Sequence, residues 1–255
     1  MLFPLFFMEK AIEEFRNKGL TKADIKIICN FVNGNTKRFK CLAQRRLFGE
    51  PLAYLFKESI FMSNKFFIDK RVYVPNPETE EMVRILLKKT KKNDAVVDVG
   101  CGSGAIGISL KLKNKRLKVY GVDIDPSALE VAHINKRKLN TYIILKESFY
   151  VDNLDIPNPD FVISDLPYGN QSYALPSIDI REFSYMPAIA LFHPKGPLEA
   201  YKELIQSILR KGWKTTLIFE SGLVEKEKVA KIIPLGKSWE YVKCNRNYSV
   251  TIIYF

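Results

Sequence analysis

The feature that most constrains this chain is a strand that runs directly into a glycine-rich turn and is answered by a carboxylate at the end of the next strand. Val96-Val97-Asp98-Val99 is apolar enough for a buried strand, and Gly100-Cys101-Gly102-Ser103-Gly104 leads out of it into Ala105-Ile106-Gly107-Ile108, which opens a helix. Nineteen residues beyond Gly104 a second strand ends in Gly121-Val122-Asp123. Parallel strands need a crossover, and the intervening helix supplies one, so both strand ends arrive at one edge of a sheet. Glycines there let a ligand approach the backbone, and Asp123 can accept both hydroxyls of a ribose. The spacing is G-x-G-x-G rather than the G-x-G-x-x-G of a dinucleotide fingerprint. The pair therefore predicts an adenosine-containing cofactor and disfavours a nicotinamide oxidoreductase. Asp125, followed by Pro126, reads as a helix N-cap.

Around this pair the elements alternate. Helices are predicted over 79–89, 105–112, 126–139, 198–209 and 224–232, and strands over 95–99, 117–122, 142–145, 160–164 and 214–219. That order predicts an α/β, Rossmann-like fold with an open, mostly parallel sheet covered by helices on both faces. Strands at 241–244 and 249–255 are separated only by Asn245-Arg246-Asn247, too short for a helical crossover, so they should close the sheet antiparallel. Upstream, helical spacing from Met8, a capping pattern at Thr21-Lys22-Ala23-Asp24, a stop at Gly34 and a further stretch over 37–48 predict a small helical domain at 1–50. Alternating apolar residues predict a β-hairpin linker over 51–76, followed by the cofactor-binding catalytic domain at 77–255.

Hydrophobic residues make up 47% of the 255 and charged residues 27%, which excludes a disordered or multi-span membrane chain. Forty Lys plus Arg against 28 Asp plus Glu give +12, a balance that would suit a phosphate-rich partner such as RNA or the ribosome. Many of the lysines, however, sit in runs over 88–92 and 111–118 that read as solvated faces. Cys29, Cys41, Cys101 and Cys244, with His133 and His193, show no paired ligand spacing, so no metal site is expected. Residues 1–8 are apolar but lack a basic preceding region, and no run reaches the ~18 apolar residues of a spanning helix; a cytoplasmic protein is expected.

The fourth strand of the alternation delivers Asp165-Leu166-Pro167-Tyr168-Gly169 to the same sheet edge. A carboxylate, backbone carbonyls and an aromatic ring offer an incoming amino group acceptors and a ring face, although the same residues also make a good turn. Beyond them, 170–196 is long and poorly periodic, the length of a functional lid, with Asp179, Arg181 and Glu182 as possible substrate contacts or plain surface charges.

Here the chain resembles the release-factor glutamine methyltransferases, the HemK/PrmC family, whose reactive motif is Asn-Pro-Pro-Tyr. Gly49-Glu50-Pro51-Leu52-Ala53-Tyr54-Leu55 is similar to the segment after the family's helical domain, and Val74-Pro75-Asn76-Pro77-Glu78-Thr79-Glu80 to its Ile-Pro-Arg-Pro-Glu-Thr-Glu. Pro187-Ala188-Ile189-Ala190-Leu191, with Gly196-Pro197-Leu198 and Tyr201, resembles the stretch past the reactive motif. The resemblance implies a class I S-adenosylmethionine-dependent methyltransferase acting on the glutamine of the release factor Gly-Gly-Gln motif, with residues 1–50 docking the release factor. It implies that Asp165, Leu166, Pro167 and Tyr168 present the acceptor nitrogen. Asp98, Gly100, Gly102, Ser103 and Gly104 would hold the cofactor from one side, and Asp123, Ile124, Ser148, Phe149 and Asp165 from the other.

Three departures stand out. Asp165-Leu166 replaces Asn-Pro, Asn76 replaces an arginine, and Ser148 stands where many members carry an aspartate. A carboxylate can only accept hydrogen bonds, whereas an asparagine also donates. Amino methyltransferases of DNA adenine and RNA guanine carry Asp-Pro-Pro-Tyr, so an exocyclic amine of a nucleic acid is the rival acceptor. A cofactor-binding homologue without activity is the other alternative.

Overall fold

The computed structural model describes residues 3–167, 180–196, 198–246 and 248–255. Apolar periodicity shapes the amino-terminal part. Helices α1 (Phe3–Asn17), α2 (Lys22–Val32) and α3 (Thr36–Leu47) bury Phe15, Ile28, Phe39 and Ala43 in a cluster of their own, which also takes in Leu55 of α4 (Leu52–Phe56). Thr21 caps α2 by accepting the Asp24 N–H at 3.0 Å, and Asn35 caps α3 by accepting the Arg38 N–H at 2.9 Å.

The hairpin expected over 51–76 is confined to β1 (Ser59–Phe61) and β2 (Asn64–Phe66). Its two-residue turn, Met62-Ser63, has positive φ at both positions (48° and 65°), the geometry that matches the twist of paired strands. The start of the expected range is α4, and 67–78 runs without regular structure. Ile68 and Val72 alternate because both reach the main core, not because they lie in a ladder.

The main sheet has seven strands: β3 (Ala95–Val99), β4 (Lys118–Asp123), β5 (Ile144–Glu147), β6 (Phe161–Ser164), β7 (Thr216–Glu220), β8 (Ser238–Lys243) and β9 (Ser249–Tyr254). Their order is β5-β4-β3-β6-β7-β9-β8; the first five are mutually parallel, and β9 is antiparallel to both β7 and β8. Side chains alternate between the two faces as strand geometry requires. Val96, Ile163 and Ile218 face the cluster under α5 (Thr79–Lys89) and α6 (Ala105–Lys113), whereas Val97, Val162 and Leu217 face the one under α9 (Glu199–Lys211). Short helices α8 (Ala188–Leu191) and α10 (Lys226–Ala230), and a 3-10 helix at Ile180–Tyr185, complete the fold with α7 (Pro126–Lys138).

The strand expected at 142–145 is found two residues later, because pairing with β4 places Tyr120 opposite Ile144. Helix α9 begins one residue later than expected, since Leu198 has φ 68° and cannot lie in a right-handed helix. The order of strands reverses at β3, with β4 on one side and β6 on the other. Such a reversal opens a crevice beyond the carboxyl ends of the strands, where open α/β sheets bind ligands.

Candidate active site

The glycine turn is tied to the tip of β4 by short bonds. The N–H groups of Gly100 and Cys101 both donate to the Val122 carbonyl at 2.9 Å, and the Gly102 N–H donates to Asp123 Oδ2 at 2.8 Å. Asp123 Oδ1 accepts the Asp125 N–H at 3.0 Å. The Ile124 N–H is a third backbone group that favours the Asp123 charge. Burial pushes the Asp123 carboxyl up, against the backbone N–H groups that favour its charge. Asp125 accepts the Ser127 N–H at 2.8 Å with Pro126 at the first helical position, the capping role its neighbours implied.

Asp98 and Gly104 stand behind this turn rather than on its open side. Asp98 is fully buried, and its Oδ2 accepts the Gly107 N–H of α6 at 2.8 Å; among the described residues its Oδ1 has no hydrogen-bond partner. Burial, reinforced by the charges of Asp123 and Asp165, pushes its carboxyl up to about 7. Gly104 packs against Ile108 and Ala132 at the start of α6. Cys101 is a buried packing residue whose thiol burial pushes far up, which removes it from nucleophilic chemistry. Asn135 of α7, which sequence reasoning missed, is completely buried and donates to the carbonyls of Ser103 (3.0 Å) and Phe67 (2.9 Å). A polar residue inside an amphipathic helix carries no signal of such a partner.

The reactive segment leaves β6 beside this turn. Ser164 Oγ donates to the Val99 carbonyl at 2.8 Å, and Leu166 packs so close to Gly100 that a Cβ there would lie 2.8 Å from Leu166 Cδ2. Gly100 thus serves the approach of the two loops as well as the turn itself. The buried hydroxyl of Tyr201 holds the segment from below, accepting the Leu166 N–H at 2.8 Å and donating to its carbonyl at 3.3 Å, while its ring stacks on Phe219 at 4.4 Å. Thr79, from the Pro-Glu-Thr-Glu stretch, places its Oγ1 3.1 Å from Asp165 Oδ2 and 2.9 Å from Glu220 Oε2. Glu220 ends β7 and is buried. Its meeting with Thr79 could not be anticipated from spacing. Tyr168 and Asp179 lie outside the described residues.

One cavity of about 400 Å³ receives both loops. Gly100, Gly102, Ser103 and Asp123 line it from one side, and Asp165, Leu166 and Pro167 from another. Ser148 and Phe149 lie on its wall with Ile124. Ser148 donates its N–H to the Asp123 carbonyl at 3.0 Å, and its buried Oγ accepts the Asn153 N–H. Ile124 and Phe149 are exposed apolar groups on the cavity wall. His193 also reaches the wall, with its Nε2 3.6 Å from Glu203, while His133 is exposed on α7.

The amino-terminal helices meet the 3-10 helix at Ile180–Tyr185. Arg46 bridges Asp24 of α2 (3.2 Å) and Glu182 of the 3-10 helix (2.6 Å), and Arg181 donates to the Leu47 carbonyl at 3.0 Å. Gly49 has φ 92°, and a Cβ on it would lie 2.5 Å from Arg181 Cβ, so only glycine fits there.

A family model, "Methyltransferase small domain", matches residues 76–181. A release factor glutamine methyltransferase of Bacillus cereus is 31% identical over 77% of this chain and 72% of its own length; one of Bacillus subtilis (strain 168) is 32% identical over 77% and 71%. The chain belongs to the release factor glutamine methyltransferases. It also matches a bifunctional methyltransferase of Rickettsia prowazekii (strain Madrid E), 30% identical over 91% of this chain, but spans only 49% of that protein. In fold, the family member described here is similar to the catalytic domain of hMettl16, solved in complex with a MAT2A 3'UTR hairpin. The TM-score is 0.57 at 16% identity, over 85% of this chain and 80% of the other.

The cofactor of this methyltransferase is S-adenosylmethionine. The residues present fit it. A Cβ on Gly102 would meet nothing within 4 Å, so the turn opens onto free space beside Asp123, and the exposed Ile124 and Phe149 can cover the faces of an aromatic base.

Proposed function

We propose that this chain methylates the side-chain amide of the glutamine in the Gly-Gly-Gln motif of peptide chain release factors. The carrying observation is that the glycine turn with Asp123 and the segment Asp165–Pro167 line one cavity, which brings a donor site and an acceptor site together. Asp123 would take the ribose hydroxyls, Gly100, Gly102 and Ser103 the aminoacyl end, and Ile124, Ser148 and Phe149 the adenine.

Bound S-adenosylmethionine supplies a methyl group that is already electrophilic. The chain's task is therefore to hold a nitrogen about 3–3.5 Å away and in line. An amide nitrogen gives its lone pair to the carbonyl, and N–H bonds to Asp165 and to the Leu166 carbonyl favour a geometry that releases electron density. Tyr201 fixes that carbonyl from behind, and the ring of Tyr168 would cover the amide plane. Residues 1–50 would dock the protein substrate, and the Arg46 and Arg181 contacts would transmit docking to the segment beside the acceptor.

An exocyclic amine of RNA or DNA is the second reading, favoured by Asp165 in place of asparagine. The test is labelled methyl transfer to a release factor, to the same factor with its motif glutamine substituted, and to tRNA, rRNA and DNA. Label in the intact factor alone is expected. Label in nucleic acid, or equal label in the substituted factor, would overturn the assignment.

A further inference from the structure

The positive charge of this chain is concentrated. Three stretches, 88–95, 111–118 and 136–143, carry twelve of its 40 Lys and Arg and, in Asp94, one of its 28 Asp and Glu. They account for +11 of the net +12, so the remaining residues are close to balanced. Far apart in sequence, these stretches share one place in the fold. The last turns of α5, α6 and α7 hold seven of the cations. Each helix then turns back into a strand of one parallel set, β3, β4 or β5, so all three turns lie at the amino ends of those strands. The Lys118 N–H donates to the Asp94 carbonyl at 2.9 Å, which sets the first two turns side by side. Strand register brings in the third: Ile144 pairs with Tyr120, so Tyr142, with Lys136 Nζ 5.0 Å over its ring, stands level with Lys118.

The runs that read as separate solvated faces therefore form one cationic edge. Nine of the twelve side chains are exposed. Among the described residues, Lys89 and Lys138 alone of the twelve have an acidic partner, Glu240 and Glu58, each at 3.8 Å. Cations in a last helical turn complement the helix dipole, but that effect fades beyond the turn. Lys91, Lys92, Lys115, Arg116 and Lys118 lie past the helix ends, so the dipole does not account for them.

We propose that this edge holds the phosphate backbone of a nucleic acid, without reading its sequence. Ten of the twelve cations are lysines, point charges that suit phosphates and position a strand on the protein. Protein interfaces are poor in lysine and rich in apolar and aromatic anchors at their centre, and membrane-surface helices need apolar groups to insert. Tyr142 is the one large apolar side chain exposed in the three stretches, which favours neither. The strand between this edge and the glycine turn, β3, has five residues. At about 3.3 Å per residue, a nucleic acid bound here lies roughly 15 Å from the cavity. It is a docking partner and not the methyl acceptor, and the inference stands whichever acceptor proves right.

Fluorescence anisotropy of the full chain with a fluorescein-labelled single-stranded RNA, and with DNA of the same sequence, tests this. Saturable binding that weakens steeply with salt is expected, with a slope of about −4 in log K against log salt for about six phosphate contacts. Lys91→Gln, Lys92→Gln, Lys115→Gln and Arg116→Gln together should reduce the slope by about 3 and weaken low-salt binding at least about a hundredfold. Either adjacent pair alone, Lys91→Gln with Lys92→Gln or Lys115→Gln with Arg116→Gln, should reduce the slope by about half as much. All three variants should keep wild-type cofactor affinity, since none of these residues lines the cavity. Lys22→Gln, Lys26→Gln, Lys37→Gln and Lys231→Gln remove the same charge from exposed positions elsewhere and should leave the slope nearly unchanged. No saturable binding of either strand, or an equal loss in this last variant, would overturn the proposal. Tighter binding of poly-glutamate, or of phosphatidylserine vesicles, than of RNA would also overturn it, in favour of an acidic protein or a membrane.

Discussion

On the donor side of the cavity the bonds within the turn join near neighbours, Gly102 to Asp123, 21 positions apart, and Gly107 to Asp98, nine apart, while Asn135 ties Ser103 across 32 positions and Phe67 across 68. On the acceptor side, Asp165 meets Thr79 across 86 positions, Thr79 meets Glu220 across 141, and Arg46 meets Glu182 across 136. The donor side is one strand-turn-helix unit and its neighbour, fixed by local geometry. The acceptor side is a convergence of segments, each held by another. Changes on the donor side should therefore stay local and alter cofactor affinity, whereas changes on the acceptor side should spread to the protein substrate.

The largest effects test whether the two sides are separable. Asp165→Ala is expected to abolish methyl transfer while leaving cofactor affinity within a few-fold of wild type; Asp123→Ala should instead weaken the cofactor by about tenfold to a hundredfold, the worth of one or two lost charged hydrogen bonds. Isothermal titration decides between them, and wild-type affinity in Asp123→Ala would remove Asp123 from the donor site.

Next come the ties between the amino-terminal helices and the 3-10 helix at Ile180–Tyr185. Arg46→Ala removes the cation that bonds both Asp24 and Glu182 in a partly buried place, a loss of about 1.5–3 kcal/mol by the worth of hydrogen bonds to charged groups. Urea unfolding should register this, and KM for the protein acceptor should rise while cofactor affinity does not. Gly49→Ala combines a left-handed backbone with a 2.5 Å approach to Arg181, and is expected to cost about 1–3 kcal/mol in the same assay. Unchanged KM in both variants would deny any coupling between the two parts.

The last effect belongs to Asp98 and is read only as a pH dependence. Its folded carboxyl titrates near 7 against an ordinary 3.8, so between those values the folded chain holds a proton that the unfolded chain has released. That contribution is complete below about pH 4 and is lost as pH rises to 7, at most roughly 4 kcal/mol across the window. Asp98→Asn, which can still accept the Gly107 N–H, should show a flatter melting temperature between pH 5 and pH 8 than wild type. Parallel curves would mean that Asp98 is charged in the fold.

Much of the donor side was legible. The apolar run into glycines, the carboxylate closing the next strand and the Asp125-Pro126 cap are local patterns whose geometry follows from backbone conformation alone. The acceptor side was legible only as a motif resembling a family's. Thr79 belongs to a motif that names no partner for it, Glu220 lies one residue past the strand expected at 214–219, and Arg181 and Glu182 can be read as surface charges. The alternation over 51–76 overstated the hairpin, since apolar residues reaching a core from an irregular segment mimic strand spacing.

The sequence by itself determined which residues could form strands, which turn had to be glycine and which carboxylate would close it, because those choices depend on a residue and its near neighbours. Only the tertiary structure decided what Asp165 faces. A side chain's partners across the sheet are set by strand order and register, and these place the end of β7 and the first residue of α5 beside a loop from β6. One hydroxyl between two acids is a property of that meeting, and no stretch of the chain contains it.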